Sequence, residues 1–246
     1  MKYYYIDESG DADFYGKRGR QLWELESWNN FLLLGMLETG NRKRLRKDIL
    51  TFHQALKNDK YFRGIASFDQ PGHFFHAKDD HPEIRAEFFK FLRYRNDFKC
   101  YFSMVGKDAR VFDQQFSRNP KQFYFHVVEH LLKLKDYNEG EKHSFYLSRR
   151  TKHTNADFDK VIQNAVDYKM TGKNLNYKAD VVNSSEFPEL SVIDYMLWAV
   201  QRAKVKGEFR FLDALSDKVN GIVYAEGSLQ NCNNNKMSAQ DFVDWV

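Results

Sequence analysis

Four carboxylates crowd the end of the chain's first apolar run: Tyr3-Tyr4-Tyr5-Ile6 leads directly into Asp7 and Glu8, and Asp11 and Asp13 follow Ser9-Gly10. Like charges this close repel. Such a group is tolerated either as a solvated turn capping a strand or as a site where a hard divalent cation, magnesium or manganese, neutralises it. Strand alternation sends Asp7 and Glu8 to opposite faces, so both reach one ion only if a bulge or the Ser9-Gly10 turn redirects Glu8. Asp7 is therefore the first candidate ligand. A second acid, Asp194, sits in a helical pattern whose buried stripe is Ile193, Met196, Leu197 and Val200. At ~100° per residue it lies about 40° from Leu190 and about 60° from Leu197, on the flank of the apolar face. There it either pairs with a nearby Lys or Arg as a rim aspartate or meets the acids of the opening segment.

These acids need elements to carry them. Runs rich in aromatic and branched residues at 3–7, 31–37, 99–105, 144–147 and 177–182 predict strands for a central sheet. Leu45, Ile49, Phe52, His53 and Leu56 form a helical stripe, and residues 83–94, 122–134, 157–168 and 189–203 repeat that periodicity. Strands alternating with helices predict a mixed α/β sheet. The polar stretch 10–26, with Lys17, Arg18 and Arg20, reads as a mobile loop beside the first strand. Residues 231–235, Asn-Cys-Asn-Asn-Asn, read as a surface turn before a short final helix over 240–245.

With 246 residues, 42% apolar and 16% aromatic, the chain has material for a substantial core, and without a linker or repeat it reads as one main domain. Its 38 basic and 34 acidic side chains leave a formal charge of +4, which excludes a histone-like binder and makes phosphate affinity a matter of local clustering. The early apolar run Phe31-Leu32-Leu33-Leu34 is far short of the ~20 residues of a membrane span. Asp7 and Glu8 interrupt any secretory leader. Cys100 and Cys232 are too few for a disulfide scaffold or a zinc ribbon, which predicts free thiols and a cytoplasmic setting.

Tyr5-Ile6-Asp7-Glu8-Ser9-Gly10-Asp11 and Pro188-Glu189-Leu190-Ser191-Val192-Ile193-Asp194-Tyr195, the latter followed by Trp198-Ala199 and Arg202, resemble the two signature blocks of the domain-of-unknown-function 3800 family, over roughly residues 3–220. The resemblance implies a ribonuclease H-like domain over 1–220, with a mixed central sheet flanked by helices, and a helical carboxyl-terminal extension, 221–246, packed on the same domain. It matches Asp7 and Glu8 to the family's acidic pair and Asp194 to the Asp of a Gln-x-x-Asp element; Ser191 stands where that Gln is expected. Lys107, just after the strand ending at Val105, resembles a recurrent family lysine. The implied activity is a divalent-metal-dependent nuclease acting on RNA or DNA, in an antiphage-defence or mobile-element context. Two magnesium or manganese ions, held by Asp7 and Asp194 and then by Glu8 or Asp11, would activate a water and stabilise the leaving oxygen, with Lys107 neutralising phosphate charge. The fold also hosts non-catalytic proteins, so a module binding nucleic acid or a protein partner through the same cleft is the alternative. A metal phosphohydrolase for small nucleotides is a third reading, distinguished by its lack of steep salt dependence.

Other residues carry competing chemistry. His73-x2-His76-x4-His81, with Asp79 and Asp80 between, offers zinc donors, but in a spacing that matches no common zinc pattern, and Phe74 and Phe75 point to a packed strand or loop. His76 alone is a candidate proton donor or substrate contact near the acids. Arg42, Lys43, Arg44, Arg46 and Lys47 crowd a helix start, where the dipole disfavours cations, and predict either a solvated face or a phosphate-bearing partner. Arg149, Arg150 and Lys152 directly follow the strand at 144–147 and are the better candidates for nucleic-acid contact; Tyr15, Trp23 and Trp28 are candidates for base stacking. Glycine-rich phosphate loops and a G-x-S-x-G elbow are missing, which disfavours nucleotide-driven motors, dinucleotide enzymes and hydrolysis through a covalent residue.

Overall fold

The apolar runs decide which strands lie inside the sheet. β1 (Lys2–Ser9), β2 (Phe31–Thr39) and β3 (Phe98–Gly106) form an antiparallel meander. Every residue of β2 is buried: its apolar residues from Phe31 to Leu37, interrupted only by Gly35, supply both faces, as a central strand requires, and Glu38 and Thr39 at its end are buried with them. β4 (Lys142–Ser148) lies parallel to β1, and β5 (Asn176–Val182) parallel to β4. β6 (Val219–Glu226) joins parallel to β3 with a register shift between Cys100 and Tyr101, and β7 (Lys236–Met237) closes that edge antiparallel. The sheet order is β5-β4-β1-β2-β3-β6-β7. The first five strands thus run 3-2-1-4-5 with only the second reversed, which is a ribonuclease H-like core. The computed structural model of the chain describes residues 1–26, 28–149, 154–169, 175–226 and 236–246; Arg150, Lys152 and the expected turn at 231–235 lie outside them.

Helices cover both faces. α1 (Arg42–Asn58), α2 (Pro82–Arg93), α6 (Leu190–Lys206), α7 (Arg210–Asp213) and α8 (Ala239–Trp245) pack over Tyr5, Leu33, Leu37 and Phe102. α3 (Ala109–Phe116), α4 (Pro120–Lys133) and α5 (Asn155–Lys169) pack over Tyr4, Ile6, Leu34 and Met36. Alternation along β1 and β2 therefore feeds two separate cores. Residue 220 falls inside β6, which belongs to the main sheet, and the chain then ends in α8, fastened by a Ser238–Asp241 capping box and the buried Phe242. Among the described residues no helix is long and apolar enough to cross a membrane.

Two expectations change. The stretch 10–26 is anchored, because Ala12 and Phe14 are buried and Phe14 stacks on Phe112 with ring centroids 4.0 Å apart. The basic start of α1 is not a solvated face throughout, because two of its five cations, Arg42 and Arg46, turn to a buried acid. Arg46 Nε and Nη2 donate to the two carboxylate oxygens of Glu189 at 2.9 and 2.8 Å, and Arg42 Nε reaches the same group at 3.3 Å. Glu189 is fully buried, so these guanidiniums are spent on a charge that would otherwise be uncompensated.

Candidate functional site

Asp7 stands near the end of β1, in register with Gly35 of β2 and beside Ser148 at the end of β4. It projects on the face covered by α6, the face of Tyr5, while Ile6 faces the opposite core. Gly35 brings α6 close. A Cβ at that position would lie 2.8 Å from Ile193 Cδ1 and 3.0 Å from Leu197 Cδ2, so only glycine lets the helix settle onto the sheet at this height. Asp194, one residue from Ile193, is thereby carried to the cavity that Asp7 lines.

The third wall is the loop before α2. Ala77 N donates to Asp194 Oδ2 at 2.6 Å, and His76 Nε2 lies 3.7 Å from Asp194 Oδ1. Buried Asp80 fixes this loop from behind: Oδ2 accepts from His76 N at 3.0 Å and from the Tyr195 hydroxyl, and Oδ1 lies 2.7 Å from His73 Nε2. His73 Nδ1 is in turn 3.0 Å from His53 Nε2. Arg85 closes the strap by donating to the carbonyls of Ala77 at 2.6 Å and Asp80 at 2.7 Å. The position of His76 is thus set by a buried His-His-Asp-Tyr chain.

The resulting cavity, about 200 Å³, is lined by Asp7, Glu8, His76, Ser148, Ser191 and Asp194 among others, and among the described residues by no Lys or Arg. Burial, with the charges of Glu8 and Asp194 beside it, pushes the Asp7 carboxyl well above the usual carboxylate range, against the hydrogen bonds from Glu8 N–H and the Ser148 hydroxyl. Burial also raises Asp194, opposed by His76 and the Ala77 N–H. Two polar atoms here, Ser191 Oγ and His76 Nδ1, are buried without a hydrogen-bond partner; the latter lies 3.2 Å from Asp79 Oδ2 without bonding to it. Among the described residues no three His, Cys, Asp or Glu side chains converge as a closed cage. Two repelling carboxylates with unsatisfied polar neighbours fit a magnesium-type ion, which one or two carboxylates hold while waters and substrate phosphate oxygens complete its shell. They do not match the three or four convergent donors of zinc.

The remaining candidates fall elsewhere. Glu8 lines the cavity, but its Oε2 accepts from the Tyr124 hydroxyl of α4 at 2.9 Å, on the far face, as strand alternation requires. Asp11 and Lys107 are not brought to the acids. Lys107 Nζ lies 3.3 Å from Asp11 Oδ1 and 4.8 Å from the centre of the Trp28 ring, with 0% of its side chain exposed, so it cannot touch a phosphate where it stands. Arg149 is exposed after β4, its N–H bonded to Val182 O at 2.9 Å. The three histidines of the zinc reading separate: His73 joins the buried chain, His76 meets Asp194, and His81 Nδ1 accepts from Glu83 N at the start of α2. Tyr15 donates to Asp113 and packs edge-on against Trp23, and Trp28 covers Lys107, so these rings hold the loop at 10–26 in place. Gly35 and Ser148 were missed by sequence reasoning, Gly35 alone carrying a signal as a glycine inside an apolar strand, and Asp80, read as a possible zinc donor, instead fixes the loop.

No protein-family model matches the chain, and no curated protein does, so the two blocks at Asp7 and Asp194 remain a resemblance carried by their own residues. Solved structures with a similar chain course include the PCNA:RNase HII complex from Archaeoglobus fulgidus (14% identity, TM-score 0.42, 89% of this chain and 78% of that one). Another is ribonuclease H2 from Pyrococcus horikoshii OT3 (12% identity, TM-score 0.45, 85% and 79%). Likeness at this level says nothing about chemistry.

Proposed function

We propose that the chain is a divalent-metal-dependent nuclease that hydrolyses phosphodiester bonds of RNA or DNA. The observation that carries this reading is the sharing of one cavity by Asp7 and Asp194, acids 187 positions apart in the sequence, with no Lys or Arg among its described lining residues. Asp7 and Asp194 would hold the magnesium or manganese ions, two on this reading, which when bound activate water and stabilise the leaving oxygen of a phosphodiester. The protein's own residues supply the rest. Ser148 and Ala77 N–H orient the two carboxylates, and His76, fixed by Asp80, stands beside Asp194 to contact the substrate or give a proton to the leaving oxygen. Arg149 is the described candidate for phosphate contact at the strand end. A cytoplasmic setting accords with the free, buried Cys100, and membership of the domain-of-unknown-function 3800 family, with its antiphage-defence or mobile-element context, rests on the two sequence blocks.

The test is incubation with manganese and labelled single-stranded RNA, single-stranded DNA, duplex DNA and RNA–DNA hybrid. Cleavage of at least one substrate is expected, with a loss of at least about a hundredfold in Asp7→Asn and Asp194→Asn. A rate unchanged in those variants rejects the assignment. The rival, a non-catalytic module, is favoured by the lack of three convergent metal donors among the described residues. It predicts no cleavage and no manganese-dependent rise in Tm.

A further inference from the structure

A second cavity opens from the first. It holds about 530 Å³ and shares Glu8, His76 and Asp194 with the acid cavity. Its wall along α6 includes Asp194, Trp198, Gln201 and Val205, a spacing of three or four residues that keeps one helix face, and Lys206 beside Val205. At 1.5 Å per residue that wall extends about 18 Å from the acids. Val205 is 51% exposed and, with the part of half-buried Trp198 left open by the Arg85 and Arg202 guanidiniums at 4.7 and 5.3 Å from its ring centre, gives the groove an apolar floor. Arg202 is tied to Glu208, whereas exposed Lys78, on the loop beyond His76, and exposed Lys206 have no ion-pair partner among the described residues.

A duplex turns its bases inward and offers a charged backbone, so an apolar floor gains nothing from it. An unpaired strand presents bases and phosphates together, and such strands are bound by basic grooves with apolar or aromatic surfaces under the bases. We propose that this groove binds a single nucleic-acid strand, with bases against Trp198 and Val205 and phosphates against Lys78 and Lys206, and leads it to Asp7 and Asp194. Only the last step rests on the nuclease reading; strand binding does not require cleavage.

The test is fluorescence anisotropy on the full chain in chelator, with labelled oligo-dT and oligo-U of about ten nucleotides and a blunt duplex of equal length, across a salt series. The expected result is strand binding at least about tenfold tighter than duplex binding. Lys78→Ala/Lys206→Ala is expected to weaken strand binding on the order of tenfold and to reduce the salt slope by about 1.4, at ~0.7 per phosphate contact on single strands. A charge-matched control, Lys43→Ala/Lys47→Ala on α1, is expected to change affinity by less than about threefold, since neither residue lines the groove. Equal weakening by both pairs, no weakening by the groove pair, no strand binding by wild type, or duplex bound as tightly as strand overturns the proposal. Strand binding without cleavage rejects the nuclease reading and leaves the groove standing; cleavage without a groove effect does the reverse.

Discussion

At Asp7 burial and two neighbouring acids oppose ionisation, and only short-range hydrogen bonds favour it. A carboxyl whose folded pKa is raised destabilises the fold at pH values above that pKa, and the penalty vanishes below the unfolded value near 4. Asp7→Asn keeps the shape without the charge. In chelator at pH 7.5 its Tm is expected to exceed that of wild type, because the variant carries no charge to bury. The gap is expected to close as pH falls toward 4, and manganese is expected to raise the Tm of wild type and not of the variant. A Tm for Asp7→Asn at or below wild type in chelator would mean that the protein itself compensates the carboxylate. Legibility at this scale follows the range of the cause. Asp7 was readable as an acid near a strand end, Asp194 as an acid flanking a helix's apolar stripe, and His76 as one of three closely spaced histidines. Lys107 was not, because a lysine after a strand reads the same whether it enters solvent or the shelter of Trp28.

The acid pair exists because one helix lies low on one strand, and Gly35 is the reason it can. Gly35→Ala puts a Cβ 2.8 Å from Ile193 Cδ1, so either the side chain or the helix must give. Overpacking of this kind costs about 1–3 kcal/mol. Urea unfolding is expected to show that loss, together with a reduced manganese-dependent Tm shift because Asp194 rides on the displaced helix. Ile193→Val removes the offending Cδ1, so the double variant is expected to recover part of both losses. Additive losses would show that the clash is not what matters at Gly35. Strongly periodic elements such as α6 and largely apolar ones such as β2 were legible from spacing. β6 was not recognised, since Asn220 and Gly221 weaken its pattern, although Ile222-Val223-Tyr224 carried a strand signal. The eight residues of α3 are too few for a convincing period.

For the whole molecule, alternation of strands and helices made the α/β class readable, but strand order is a long-range property that no local pattern encodes, and only the two distant sequence blocks pointed to it. The same two-faced architecture bears on the response to acid, because each side of the sheet holds a histidine whose protonation burial opposes. His130 of α4, 6% exposed, has Nδ1 3.4 Å from Ser103 Oγ and an unpartnered Nε2; burial pushes its pKa down to about 4. Burial and the neighbouring His73 likewise push His53, behind the His76 loop, down to about 4. The unfolded chain takes up these protons near pH 6.5 and the folded chain only near 4, so between those values the unfolded state binds more protons and stability falls as pH falls. At pH 4.5 a histidine displaced this far costs about 2–3 kcal/mol relative to pH 7. Asp7 works in the opposite direction, so the net change is smaller than the sum over both histidines. His130→Leu removes one titration and fills similar volume. Its urea-derived stability is expected to fall about 2 kcal/mol less than that of wild type between pH 7 and pH 4.5, and an equal fall in both proteins would place the acid sensitivity outside this core.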